Sequence, residues 1–230
     1  IEARRVAECA ALLEPLAASS PEALALRGYA LERGDAGAKA AKAYDELKDP
    51  AAPVLAARAH VVDRAYDRAI ESLNKASGLE GQAAAAAKVV EALAMELKGD
   101  AAAAERLLRE AADLAKDTPF PRVALGELLL RRGRAEHALA ELQAANLVAG
   151  TARGFLATGD AFATRMELDR ARTFYRDAAA QPLLPEGALL VAGGVDPFEA
   201  PFATDPRAAA RCRLAALDLA AGSIEQARAQ

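Results

Sequence analysis

Residues 119–150 read PFPRVALGELLLRRGRAEHALAELQAANLVAG, and residues 151–182 read TARGFLATGDAFATRMELDRARTFYRDAAAQP. Offset by 33 residues, the two blocks carry small and large side chains in one order: Leu125, Gly126, Leu129, Gly133, Ala138, Leu142 and Ala145 against Thr158, Gly159, Phe162, Met166, Ala171, Tyr175 and Ala178. Self-similarity at about 34 residues is the mark of a stacked helical repeat. Each block splits into two stretches with apolar residues at i, i+3/i+4 and i+7, the spacing of one helix face, around a turn. A Gly inside a helix costs about 1 kcal/mol against Ala, so Gly126 and Gly159 at matching places imply that packing repays it. The expectation is that they face Ala138 and Ala171 and let two backbones approach closely, while Leu129, Leu142, Phe162 and Tyr175 fill the space on either side.

The same pattern runs back along the chain. Ala92, Met95, Gly99, Ala104, Leu108 and Ala111 precede the Pro119 block by 34 residues, with Lys98-Gly99-Asp100 as the turn. The five-alanine run 83–87 continues into periodic apolar residues and reads as a thin helix face under a neighbour. Ser20, Pro21 and Glu22 form a helix start, leading to Gly28 and Leu31 on one helix and Ala40, Tyr44 and Leu47 on the next. Between Asp49 and Pro53 the chain breaks, and a less regular pair follows, with Ala57 and His60, then Tyr66, Ala69, Leu73 and Ala76. The first stretch, Glu2 to Ala17, reads as one amphipathic helix with Val6, Cys9, Ala10 and Leu13 on one side.

These spacings of Gly or Ala, a large residue, then Ala, a large residue and Ala resemble the tetratricopeptide repeat family, without the tryptophan common near the start of its units. The resemblance implies an all-α chain, a right-handed α-solenoid of stacked antiparallel helix hairpins. It places a partial hairpin at 2–17, hairpins at 21–48, 50–77, 82–116, 119–147 and 151–180, and a partial hairpin at 207–230. Both ends are expected to cut through hairpins, the chain being a piece of a longer array or multidomain protein. Between 181 and 206 the period fails: prolines and glycines alternate with Leu189, Leu190, Phe198 and Phe202, an apolar insertion expected to fold back on the array or dock a partner.

Composition agrees with an array. Hydrophobic residues make up 53% and aromatics only 4%, the excess being alanine, the strongest helix former. A net charge of −4 with interspersed signs gives no reason to expect nucleic acid or an anionic membrane. No apolar run is long enough to span a bilayer. Arginine outnumbers lysine, which with the alanine content points to a GC-rich bacterial source. Cys9 and Cys212 are expected to be small packed residues rather than a disulfide or metal pair. A cytoplasmic location is the default, with the periplasm or cell envelope equally compatible.

Enzyme signatures are absent: no glycine-rich loop after a strand, no HExxH, no CxxC, no Gly-x-Ser-x-Gly. His60 and His137 are the only imidazoles and have no nucleophile beside them, so both read as structural or solvated. No catalytic residue, cofactor or metal is expected. In the family the first helix of each hairpin lines the concave face. That implies a partner-binding set of Tyr29, Arg33, Arg58, Val62, Val89, Leu93, Val123, Glu127, Leu130, Arg131, Leu156, Asp160 and Thr164. Members that clamp acidic chaperone tails place Lys and Asn where this chain has Ala25, Val54, Val89, Val123 and Leu156, so that activity is not implied.

Two functions fit. One is a non-catalytic protein–protein interaction scaffold that holds a peptide or helix of a partner on the concave face, in a bacterial multiprotein complex. The other is a regulatory or substrate-recruiting arm of a larger enzyme such as a bacterial signalling kinase. Self-assembly of the array is a further possibility.

Overall fold

The structure is a computed structural model that describes residues 2–34, 36–181 and 205–222. Among the described residues there are twelve α-helices and no strand. The insertion residues Leu189, Leu190, Phe198 and Phe202 lie outside the described residues, so the expectations placed on them are not addressed by it. The chain divides into two compact units.

The first unit holds α1 (Glu2–Ala17), α2 (Pro21–Arg33), α3 (Gly37–Asp45), α4 (Ala52–Val62), α5 (Tyr66–Lys75), α6 (Gly81–Leu97) and α7 (Ala101–Leu114). The second holds α8 (Phe120–Arg131), α9 (Ala135–Val148), α10 (Ala152–Thr164), α11 (Leu168–Ala180) and α12 (Pro206–Ala220). Within each unit every helix packs on the next, and first helices also meet across one intervening helix: α4 with α6, α8 with α10, and α10 with α12. Short turns and sequential packing make antiparallel hairpins stacked side by side, an arrangement in which each repeat buries its core against its neighbours.

One turn geometry closes four of the hairpins. The residues Arg64, Gly99, Gly133 and Met166 sit in the left-handed region, at φ 58°, 96°, 72° and 61°. In each case the following amide reaches back to a carbonyl five residues earlier: Ala65 to His60, Asp100 to Met95, Arg134 to Leu129, and Glu167 to Phe162, at 2.9–3.0 Å. This Schellman closure satisfies carbonyls that a helix end leaves bare. Helix starts are capped where the sequence supplies an acceptor: Ser20 Oγ accepts from the Ala23 amide at 3.2 Å, Asp100 from Ala103 at 2.9 Å, and Thr151 from Gly154 at 3.0 Å.

The helix-interior glycines act differently from the sequence expectation. A Cβ on Gly126 would lie 2.5 Å from Leu142 Cγ, one on Gly159 2.5 Å from Tyr175 Cδ1, and one on Gly28 2.6 Å from Tyr44 Cε1. Each glycine therefore makes room for the large side chain of its partner helix, rather than for close contact at Ala138 or Ala171. Those two alanines are fully buried nonetheless. Two further expectations change. Cys9 and Cys212 are free and exposed rather than packed, because α1 and α12 turn those positions to solvent. His60 is half-buried on α4, a helix otherwise enclosed on nearly every side, whereas His137 is exposed.

Candidate functional site

The first helices of the hairpins form a layer in each unit, and the residues anticipated for partner binding sit on them. Their exposure sorts them. Arg33, Arg131 and Thr164 are exposed, and Tyr29, Val89, Leu93, Glu127, Leu130, Leu156 and Asp160 are half-buried. Arg58, Val62 and Val123 are enclosed and hold the layer together instead of presenting themselves to solvent. The reason is visible at each. Val62 belongs to the enclosed helix α4. Val123 Cγ2 lies 3.4 Å from where a Cβ on Gly154 would stand, so α10 closes over it.

Arg58 is buried because its charge is answered. Its Nε lies 2.7 Å from Glu32 Oε1, and its Nη2 donates to Glu32 Oε2 at 3.0 Å. Tyr44 Oη donates to the same Oε2 at 3.2 Å. Arg58 is 1% exposed, Glu32 3% and Tyr44 not at all. Burial, followed by the neighbouring Glu32 carboxylate, pushes the Tyr44 phenol far above its ordinary range. A buried ion pair of this kind survives only because further hydrogen bonds complete it. It ties first helix α2 to first helix α4, through a side chain of α3.

In the second unit the corresponding links are partly open to water. Arg153 on α10 makes a bidentate pair with Glu127 on α8, Nε to Oε1 and Nη2 to Oε2, both at 2.7 Å. Here too the arginine follows the glutamate by 26 residues, as Arg58 follows Glu32. Asp160 repeats the threefold arrangement: its Oδ1 accepts from Tyr175 Oη at 2.8 Å and from Arg213 Nε of α12 at 3.1 Å. Burial, with the bond to Asp160 next, raises the Tyr175 phenol as well. Tyr44 and Tyr175 occupy the same register, each lying over a repeat glycine.

Glu32, Arg153 and Arg213 are the members that sequence reading missed. The signal was present in the 26-residue Glu-to-Arg interval, which the search for catalytic and metal spacings passed over. The charges on the first-helix layer of the second unit thus cancel pairwise, leaving Leu130 and Leu156 as its partly exposed large apolar side chains. Among the described residues, no group of three or more His, Cys, Asp or Glu is arranged to hold a metal ion. No described helix is long and apolar enough to cross a membrane.

A family model for a tetratricopeptide repeat-like domain matches residues 12–187. No curated protein matches the chain significantly. Among solved structures the chain is similar to the crystal structure of YrrB, a TPR protein with an unusual peptide-binding site, at 21% identity over 68% of this chain and 83% of that one, with a TM-score of 0.45. It is also similar to the crystal structure of the APC/C hetero-tetramer Cut9-Hcn1, at 16% identity over 96% of this chain and 41% of that one, with a TM-score of 0.59. The second likeness concerns the fold, and there the chain spans about two fifths of the other's length. The repeat register, the hairpin turns and the family match agree: the chain belongs to the tetratricopeptide repeat-like family.

Proposed function

We propose that the chain is a non-catalytic scaffold that binds a peptide or helix of a protein partner on the first-helix layers of its hairpins. The observation that carries this reading is the pairing of charges across that layer in the second unit. With Glu127 bound to Arg153 and Asp160 to Arg213, the face offers little net charge, and its free contact energy lies in Leu130 and Leu156. Apolar side chains ringed by satisfied polar groups are the anatomy of a protein-binding patch. In the first unit Val89 and Leu93 are the equivalent half-buried residues of α6. A partner with apolar side chains spaced along an extended or helical segment suits such a surface.

A random peptide library selected on the immobilised chain tests this. Selected peptides should bind Leu130→Glu or Leu93→Arg variants at least about tenfold more weakly, with helix content unchanged, because an interface anchor contributes of the order of 2 kcal/mol. Equal binding to wild type and to both variants would place the site elsewhere.

A further inference from the structure

The helix α12 stands apart from the repeats. It lies beyond residues 12–187 matched by the family model, and residues 181–205 separate it from α11. Its hold on the unit is narrow: Ala210 and Leu214 are its buried apolar residues among those described. Two ion pairs of opposite polarity flank them. Arg213 Nε meets Asp160 Oδ1 on α10 at 3.1 Å, and Asp218 Oδ1 accepts from Arg172 Nη2 on α11 at 3.2 Å. One cation and one anion on the helix thus answer one anion and one cation beneath it, which fixes orientation as well as attraction.

The comparison with the first unit sharpens this. Both units use a tyrosine over a repeat glycine, a carboxylate on the first helix and an arginine from a later helix. In the first unit the ion pair is sealed, its side chains 1% and 2% exposed. In the second, Arg213 is 55% exposed and Asp160 34%. A sealed pair cannot be exchanged without opening the core, whereas an exposed pair is screened by salt and open to competing groups.

We propose that the α10/α11 face is a helix-binding surface that α12 occupies in cis. The partner it fits is an amphipathic helix carrying a small residue, Arg-Leu and Asp at the spacing of Ala210, Arg213, Leu214 and Asp218. Such a helix displaces α12. The inference does not depend on the first-helix layer being a binding site, since the contacts come from the side of α10 and α11 that α12 covers. Because α12 is tethered, its effective concentration is of the order of millimolar, and a competitor binds the intact chain only weakly until α12 is released.

The test uses the full chain with Leu214→Asp, which removes the apolar anchor of α12, and a fluorescent peptide of residues 205–222 blocked at both ends. The peptide should bind this variant at least about tenfold more tightly than wild type, whose site is filled. Asp218→Arg in the peptide should abolish binding, and adding Arg172→Glu to the chain should restore it. Equal binding to wild type, or no binding to a variant that keeps the helix content of α1–α11, overturns the proposal. Should the variant lose its fold, amide exchange on the wild-type chain decides. Amides of α12 opening about a hundredfold faster than those of α10 support a displaceable helix, and equal protection refutes it.

Discussion

Replacing Gly159 with alanine separates packing from helix propensity, because the two act in opposite directions there. Propensity alone predicts a gain of about 1 kcal/mol, alanine being the best helix former and glycine among the worst. The new Cβ, however, would stand 2.5 Å from Tyr175 Cδ1 and Cε1, about 1 Å inside the normal carbon–carbon contact. Overpacking of this kind costs about 1–3 kcal/mol. Moving the ring also breaks the 2.8 Å bond from Tyr175 Oη to Asp160, worth about 1 kcal/mol at a site partly open to water. The net expectation is a loss of about 2 kcal/mol, carried by α10 and α11. In a Tyr175→Ala background the obstacle is gone, and the same Gly159→Ala change should become stabilising by up to about 1 kcal/mol. Native-state amide exchange measures it, because it reports the opening free energy of those two helices themselves. A neutral or stabilising Gly159→Ala in the wild-type background, or the same sign in both, would refute the view that these glycines exist to admit the partner helix's large side chain.

Three other outcomes follow from the geometry. Arg58→Met leaves Glu32 buried without its cation and should cost about 3–5 kcal/mol, while the double change with Glu32→Leu recovers most of the loss; chemical denaturation of each variant measures both. Burial lowers the His60 pKa, opposed by Asp45 and Asp63 and assisted by Arg68 and Lys75, so the folded chain favours the neutral ring. The unfolded chain therefore takes up the proton first as pH falls, and stability is full above the unfolded value near 6.5 and declines from there through the lowered folded value; His60→Gln should remove that part of the slope in thermal midpoints recorded from pH 7 to 5. Met166 holds a left-handed backbone that glycine takes freely, so Met166→Gly should stabilise by about 0.5–1 kcal/mol and Gly133→Ala should destabilise by about 1 kcal/mol, read from denaturant midpoints.

The hairpins were legible because their signals are local. Ser20 and Thr151 cap helices, and the Lys98-Gly99-Asp100 turn and the Gly133/Met166 correspondence fall on the same closure. The glycine register was legible too, but not its physical role. Spacing shows that Gly126 and Leu142 belong to facing helices, whereas which side chain enters the gap depends on the rotation of the second helix. The burial of Arg58 was illegible for a related reason. An arginine on a first helix reads as a solvent-facing charge until its glutamate, on a helix 26 residues earlier, is known to lie alongside. The exposure of Cys9 and Cys212 shows the same limit, since small apolar character does not say which side of a helix is covered.

The central claim is that a partner lies along the first helices, and backbone and methyl chemical-shift mapping tests it most directly. With the chain isotopically labelled and a library-selected peptide added to saturation, perturbations should gather at Leu93 of α6, Leu130 of α8, and Leu156 and Thr164 of α10. Perturbations confined to the second helices α7, α9 and α11, with those residues unmoved, would contradict the account.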